Sequence, residues 1–326
     1  MIFVEEVIKT LIGGVNFMKK FTYLGIIFVI FATLLLAACG DSEDEATEDD
    51  NGTNNDNEVN YGEEIDYTIT GIEPGAGISV TTEKAIEEYD SLEGWEVELS
   101  STGAMMTELG TAIDNEEPII ITGWNPHWMF AEYPDMKYLE DPKGTYGEAE
   151  DIVSLARLGL EEDKPEAYKL IDQFEWTVED MEAIMYEAQE TGSEIEEIAV
   201  QWVEDNQDKV SEWTEGVADS DGVEVEIVST PWDSERASSG VLKEVMEQKG
   251  FEVNVTPVDV AIIFESLATG DADATVAAWL PLTHNDFYEA YQDEVVDLGP
   301  NLSGAKIGLV VPGYMDIDSI EDLNAK

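Results

Sequence analysis

The sequence predicts an α/β protein of two similar lobes with a ligand cleft between them. Residues 94–126 and residues 250–281 follow one pattern: a Gly-aromatic start, a short strand, a helical segment, a buried strand and a Trp-x-Pro turn. Strand and helix signals also alternate outside this repeat, which is typical of α/β folds. With 326 residues, 43% of them hydrophobic, the chain is long enough to bury a separate core in each lobe.

Residues 1–38 are interpreted as an export signal. A Met-Lys-Lys start at residue 18 precedes an uncharged apolar run, 21–38, and small residues stand directly before Cys39. This arrangement resembles the lipobox of bacterial lipoproteins, in which the cysteine carries a diacylglycerol and becomes the mature N-terminus. Two glutamates before Met18 do not suit the start of a signal, so the true start is expected at Met18. A transmembrane helix is the alternative, since about 18 apolar residues just span a bilayer.

Residues 39–60 are predicted to form a flexible tether behind the lipidated cysteine. An acidic run and an Asn-rich stretch follow one another without apolar periodicity, and such a composition buries too little surface to order itself. Lipid and tether together place the folded part at the extracellular face of the cell membrane. Cys39 is the single cysteine in the sequence, which excludes a disulfide within the chain.

The first lobe is predicted over residues 61–170. Its opening strand, 67–70, runs into a glycine-rich loop, and the following helix has an apolar face. Residues 171–222 are predicted to be a helical crossover segment, in which Thr177 caps a helix. Three tryptophans of this segment are expected to pack in the core: Trp176, Trp202 and Trp213.

The second lobe is predicted over residues 223–306. An alternating strand, 223–228, enters a Pro-Trp loop at Trp232, which is the counterpart of the glycine-rich loop in the first lobe. Residues 307–326 are predicted to be a crossover strand and a C-terminal helix.

The charge balance is strongly acidic, with 74 Asp and Glu against 15 Lys and Arg and a formal net charge of −59. It argues against nucleic acid as a partner, because phosphate binding requires clustered basic residues. Adaptation to salt is the favoured interpretation, since at ~1 M salt the Debye length is ~3 Å and self-repulsion is screened. An acidic surface that repels substrates is the alternative.

Three tryptophans are the principal candidates for ligand contacts. Trp124 and Trp279 end matched strands, and Trp232 lies in the Pro-Trp loop, so all three stand where open α/β sheets bind their ligands. Tryptophan faces suit a cation that has no proton to donate, such as a methylated ammonium. Packing in the core is the alternative role for each of them.

An anion site is predicted beside these rings. The backbone N–H groups of Gly77 and Ile78 stand at a helix N-terminus, which favours an anion, and the side chain of His284 follows Trp279 closely enough to donate to the same group. A plain strand–helix turn is the alternative for the glycine loop, and capping of the next helix is the alternative for His284. The three tryptophans, as an aromatic cage for the cation, and the anion site together predict that the ligand is a quaternary-amine zwitterion such as glycine betaine.

Metal binding, cofactor binding and catalysis are not indicated. The chain has two histidines, and its acidic residues are spread out rather than arranged as in a calcium loop. The sequence lacks the Gly-x-Ser-x-Gly elbow of a hydrolase. We therefore expect a binding protein rather than an enzyme. An extracellular enzyme that acts on a choline compound is the alternative.

Several motifs together resemble the glycine betaine-binding lipoproteins of ABC importers. The resemblance extends from Cys39 to Lys326. It is carried by Gly75-Ala76-Gly77-Ile78, by Trp232-Asp233-Ser234-Glu235 and by residues 121–130, 137–143, 278–284 and 308–312.

This resemblance implies the type II periplasmic-binding-protein fold in a circularly permuted order, since some relatives begin with the part similar to residues 223–326. The permuted order implies that residues 319–323 lie close to the strand at residue 67. It implies a cage formed by Trp124, Trp232 and Trp279, and carboxylate contacts from Gly77, Ile78 and His284. The implied role is osmoprotectant uptake, with an ABC permease and its ATPase subunit as partners. Proline betaine, carnitine and choline remain alternative ligands.

Overall fold

A continuous path of strands joins the two lobes in the computed structural model, which describes residues 59–326. The predicted export signal and most of the tether lie outside the described residues. The strands are β1 (Thr68–Gly71), β2 (Glu96–Leu99), β3 (Ile121–Asn125), β4 (Lys137–Tyr138), β5 (Glu150–Arg157), β6 (Glu224–Ser229), β7 (Glu252–Pro257), β8 (Ala274–Leu280) and β9 (Val295–Val311). Their order is β2-β1-β3-β9-β5-β8-β6-β7, and β4 pairs with β9.

The long strand β9 belongs to both lobes. Its C-terminal part is antiparallel to β3, and Trp124 lies opposite Ile307 there. Its N-terminal part is antiparallel to β5, and Glu150 lies opposite Ala305. The chain therefore passes from one lobe to the other within a single strand.

Three parallel strands with the same connections occur in each lobe. In the first lobe β1 lies between β2 and β3, and in the second lobe β6 lies between β7 and β8. The repeated segments 94–126 and 250–281 thus form equivalent strands, β2 with β3 and β7 with β8. The prediction of two similar α/β lobes is confirmed.

Helices connect these strands and cover them. They are α1 (Tyr61–Glu64), α2 (Gly77–Glu88), α3 (Thr102–Asn115), α4 (Met129–Glu132), α5 (Leu160–Asp163), α6 (Pro165–Gln173), α7 (Val178–Thr191), α8 (Ile195–Asp205), α9 (Gln207–Trp213), α10 (Asp233–Gln248), α11 (Val260–Thr269) and α12 (Asn285–Tyr291). In the first lobe α2 and α3 link the parallel strands, and α10 and α11 do so in the second. The helices α2 and α10 both begin at the carboxyl end of their preceding strand, which is the edge where ligands bind in such sheets.

The helical segment between the lobes packs as its sequence predicts. Thr177 caps α7 and forms a capping box with Asp180. Trp176, Trp202 and Trp213 form an aromatic cluster in which the last two rings stack with centroids 6.0 Å apart. Their predicted role in the core is therefore confirmed. Between residues 59 and 326, no helix combines the length and the apolar character that crossing a membrane requires.

Two parts of the chain lie elsewhere than the predicted lobe boundaries suggest. The strand β5, within residues 61–170, makes its hydrogen bonds with β8 and β9 in the second lobe. The helices α7 and α8, expected to cross between lobes, pack on α10 of the second lobe. Gly240 allows this close approach, since a Cβ there would lie 3.1 Å from Ala199.

Residues 307–326 contain the predicted crossover strand but not a C-terminal helix. A single 3-10 turn, Ile320–Asp322, follows a cap at Ser319. The N–H of Ile320 donates to the backbone oxygen of Glu140, and this bond holds the turn against the first lobe. Residues 319–323 were expected close to the strand at residue 67, but Ile320 of this segment bonds to Ser91 and Glu140. The residue that lies beside the start of the first strand is Lys326, whose amino group is 5.3 Å from the ring centroid of Tyr67.

Candidate functional site

A cavity lies between the two lobes. The first lobe contributes the loop before α2, the end of β3 and one residue of β9. The second lobe contributes the start of α10, the end of β8 and the turn after it. The lining residues are Ile72, Ala76, Gly77, Ile78, Trp124, Trp232, Glu235, Trp279, Thr283, His284 and Ile307. All six predicted ligand contacts are among them.

The three predicted cage tryptophans come from three different elements. Trp124 ends β3, Trp279 lies near the end of β8, and Trp232 directly precedes α10. Trp124 and Trp279 are buried, whereas Trp232 is half-buried. Because the apolar rings sit among aliphatic side chains at the cavity wall, they offer π-faces in a site of low polarity.

The predicted anion site lies at the first turn of α2. Gly77 and Ile78 are the first two residues of this helix, and N–H groups at that position have no acceptor within the helix. Gly77 also approaches the second lobe closely. A Cβ at this position would lie 2.3 Å from Cγ2 of Thr283 and 2.6 Å from its backbone oxygen. Only glycine permits this contact between the lobes.

His284 is held so that one ring nitrogen remains available as a donor. Its Nδ1 accepts the backbone N–H of Trp279 at 3.1 Å, so the proton of the neutral ring resides on Nε2. Burial lowers the pKa of His284 to about 3, and the ring is therefore neutral at physiological pH. His284 occupies the cap position of α12, but its side chain makes no capping hydrogen bond.

The turn that carries His284 is fixed by a buried carboxylate. Glu150 of β5 accepts the N–H of Leu282 at 3.1 Å and the N–H of Thr283 at 3.0 Å, and also the hydroxyl of Thr283. Burial raises the pKa of Glu150, although the hydrogen bonds from Thr283 and Leu282 partly oppose this shift. Sequence reasoning missed Glu150, because it lies far from the turn in the chain.

Two further carboxylates hold the indole rings. Glu235 accepts the Nε1–H of Trp279 at 2.8 Å, and Glu73 accepts the Nε1–H of Trp232 at 3.1 Å. The second contact joins the lobes, since Glu73 follows β1. Burial alone would raise the pKa of Glu73, but hydrogen bonds from Thr102 and Trp232 outweigh it and lower the pKa. Neither carboxylate was predicted as a site residue, because glutamate side chains are mostly exposed to solvent.

A second contact between the lobes mirrors the first one. The Nε1–H of Trp128, in the first lobe, donates to Oδ2 of Asp233, in the second lobe, at 3.1 Å. Each lobe thus presents a carboxylate to an indole of the other. The lobes are closed on the cavity in this structure.

The chain matches the family described as the substrate binding domain of ABC-type glycine betaine transport systems, over residues 51–205 and 223–326. The chain belongs to this family. Members are substrate-binding domains of transport systems, so the chain is a transport binding protein and not an enzyme. In the part of the chain that the structure describes, no group of three or more His, Cys, Asp or Glu side chains is arranged to hold a metal ion.

One similar protein is the glycine betaine/carnitine transport binding protein GbuC of Listeria monocytogenes. It is 47% identical over 260 residues, which cover 79% of this chain and 86% of that protein. Among solved structures, lactococcal OpuAC in its closed conformation with glycine betaine is 49% identical, with a TM-score of 0.44. That alignment covers 46% of this chain and 59% of the lactococcal chain. The betaine/proline-binding protein ProX of Borrelia burgdorferi is 30% identical over 47% of this chain and 57% of that one, with a TM-score of 0.42.

Proposed function

We propose that this protein captures glycine betaine in the cavity between its lobes and delivers it to an ABC permease for osmoprotectant uptake. The observation that carries the proposal is the meeting of all six predicted contacts on one cavity between the lobes. They come from elements in both lobes, so chance proximity along the chain does not explain their meeting.

Each half of the ligand has matching groups in this cavity. Trp124, Trp232 and Trp279 supply π-faces for the trimethylammonium group, and a cation–π contact contributes roughly 1–2 kcal/mol when it is desolvated. The N–H groups of Gly77 and Ile78 and the Nε2–H of His284 are the donors for the carboxylate. These donors carry no net charge of their own.

Carnitine is a second candidate ligand. The Listeria relative is named as a glycine betaine/carnitine transport binding protein. Carnitine carries the same trimethylammonium and carboxylate groups on a longer chain. Proline betaine is a further alternative, while choline lacks the carboxylate that the helix N-terminus would bind.

The anchoring of the protein is part of the proposal. We propose that Cys39 carries the lipid, that residues 39–60 form the tether, and that the receptor works at the extracellular face of the cell membrane. The permease and its ATPase subunit are the proposed partners. Mass spectrometry of the mature N-terminus tests the anchor, since an unmodified Cys39 in the membrane fraction contradicts it.

Tryptophan fluorescence and calorimetry test the ligand. The chain without its signal and tether is titrated with glycine betaine, carnitine, choline and glycine. Saturable binding of glycine betaine with a Kd of ~1 µM is expected, and no binding of glycine, because the unmethylated amine prefers water to a π-cage. Recovery of unchanged ligand separates a receptor from an enzyme that turns over a choline compound.

Replacement of each cage tryptophan by alanine tests the residues. Each variant is expected to lose about five- to thirtyfold in affinity for glycine betaine, as the loss of one cation–π contact implies. Trp202→Ala is the matched control, because its ring packs in the cluster with Trp176 and Trp213 and does not line the cavity. Unchanged affinity in all three cage variants contradicts the proposal.

A further inference from the structure

Glu235 is a buried carboxylate at the wall of the ligand cavity. It is 2% exposed and lies in the first turn of α10. One oxygen accepts the indole N–H of Trp279 at 2.8 Å, and the other accepts the hydroxyl of Ser234 at 2.6 Å. Both oxygens are therefore held in place, and the side chain shares the cavity wall with the three cage tryptophans.

Its charge has no partner in the cavity. Of the lining side chains, Glu235 and His284 are the two that ionise, and His284 is neutral. The nearest basic residue on its helix, Arg236, is engaged elsewhere, with Glu194 and Glu196 at 2.9 and 2.7 Å. Burial raises the pKa of Glu235, and the bonds from Ser234 and Trp279 only partly oppose this shift.

A buried charge without a partner is costly, and an opposite charge a few ångströms away compensates that cost. A ligand with a fixed positive charge and no acidic proton supplies such an opposite charge. The charge also acts through the ring, because a carboxylate on the indole N–H makes the π-face of Trp279 more electron-rich. Both effects favour a cation over a neutral group of the same shape.

We propose that Glu235 is the countercharge for the ligand's cation and sets the preference of the cavity for a cationic over a neutral ligand. This inference rests on the proposed function. It makes Glu235 a specificity-determining residue, distinct from the tryptophans that give the cage its shape.

A matched pair of ligands tests the proposal. Glycine betaine and tert-butylacetate have the same shape and the same carboxylate, but in tert-butylacetate a neutral carbon replaces the nitrogen. Calorimetry gives the Kd of both for the wild type, Glu235→Gln and Glu235→Asp, with thermal unfolding as the check on folding. Glutamine keeps an oxygen for the Trp279 N–H and removes the charge, whereas aspartate keeps the charge and shortens the reach.

The wild type is expected to prefer glycine betaine by at least about a hundredfold, and Glu235→Gln is expected to lower this ratio by about tenfold. In Glu235→Gln the affinity for tert-butylacetate stays constant or rises. In Glu235→Asp the ratio is retained even where both ligands bind more weakly, so this variant decides the question if the glutamine variant does not fold.

Equal losses for both ligands in Glu235→Gln overturn the proposal, because they show a residue that only positions Trp279. A wild type that binds the two ligands equally also overturns it. If the wild type binds no glycine betaine at all, the proposed function itself fails, and the two failures are thus distinguished.

Discussion

The two Trp-x-Pro turns are built alike and used differently. Each carries a buried histidine whose Nδ1 accepts a backbone N–H, from Met129 to His127 at 3.0 Å and from Trp279 to His284 at 3.1 Å. Burial lowers the pKa of both histidines to about 3. Yet His284 lines the cavity, whereas His127 packs against the rings of Trp124 and Trp128, with centroids 4.6 and 5.2 Å apart.

The difference arises from the residues that come after the proline of each turn. His127 comes directly after Pro126, and α4 begins two positions later. In the second turn Leu282 and Thr283 intervene, and Glu150 holds both of their N–H groups. This longer turn reaches the first lobe, where Thr283 meets Gly77. The repeat therefore retains the strand and its tryptophan, while the length of the loop decides which histidine lines the cavity.

The largest expected effect comes from blocking the contact that the longer turn makes. Gly77→Ala places a Cβ 2.3 Å from Thr283 in the closed state, so the lobes are held apart. We expect the affinity for glycine betaine to fall by about a hundredfold or more, equivalent to about 3 kcal/mol. Gly103→Ala in α3 is the control, because a Cβ there meets nothing within 4 Å. Titration calorimetry gives the affinities, and small-angle X-ray scattering shows whether the ligand still closes the lobes.

This prediction also separates the glycine's two roles. Alanine keeps the backbone N–H that we assign to the carboxylate, so a loss of affinity reflects closure rather than the anion contact. If Gly77→Ala binds like the wild type, Thr283 does not limit the approach of the lobes and the comparison loses its main support.

Replacement of each histidine by alanine tests whether His284 binds the ligand and His127 does not. His284→Ala is expected to weaken glycine betaine binding by about 2 kcal/mol, the value of a hydrogen bond to a charged group. Choline binding should change less, since choline has no carboxylate. His127→Ala should lower the free energy of unfolding but leave the ratio of the two affinities unchanged. Calorimetric Kd values for both ligands give that ratio, and equal losses for both in His284→Ala would show that His284 is structural.

Much of the site was predictable because it depends on local pattern. The strands, the tryptophans at their ends and the helix start at Gly77 are set by neighbours in the sequence. The contacts of Glu73, Glu150 and Glu235 depend on parts of the chain that meet only in the folded protein. The same reason explains why β5 joined the second lobe, since hydrophobic alternation predicts a strand but not its partner. The circularly permuted order of the segments remains a prediction.

The smallest effect concerns the property that the two histidines share. Each has a pKa of about 3 when folded, against an ordinary value of about 6.5, so the folded protein binds fewer protons than the unfolded chain between these values. The contribution of the neutral rings to the free energy of unfolding is therefore fully present above about pH 6.5. It declines as the pH falls, by up to about 1.4 kcal/mol per pH unit for each histidine.

Carboxylates with raised pKa values, such as Glu150 and Glu235, change the stability in the opposite direction as the pH falls. The test therefore compares each variant with the wild type and does not use the absolute slope of the free energy of unfolding against pH. Between about pH 7 and pH 5.5, the free energy of unfolding should fall by about 1 kcal/mol less in His127→Ala than in the wild type, and by the same amount less in His284→Ala. Chemical unfolding at the two pH values gives these differences. Equal differences mean that the turns bury their histidines alike and diverge only in ligand contact. A smaller difference for His284 would mean that water reaches its ring through the cavity, and the similarity of the two turns would then end at the backbone.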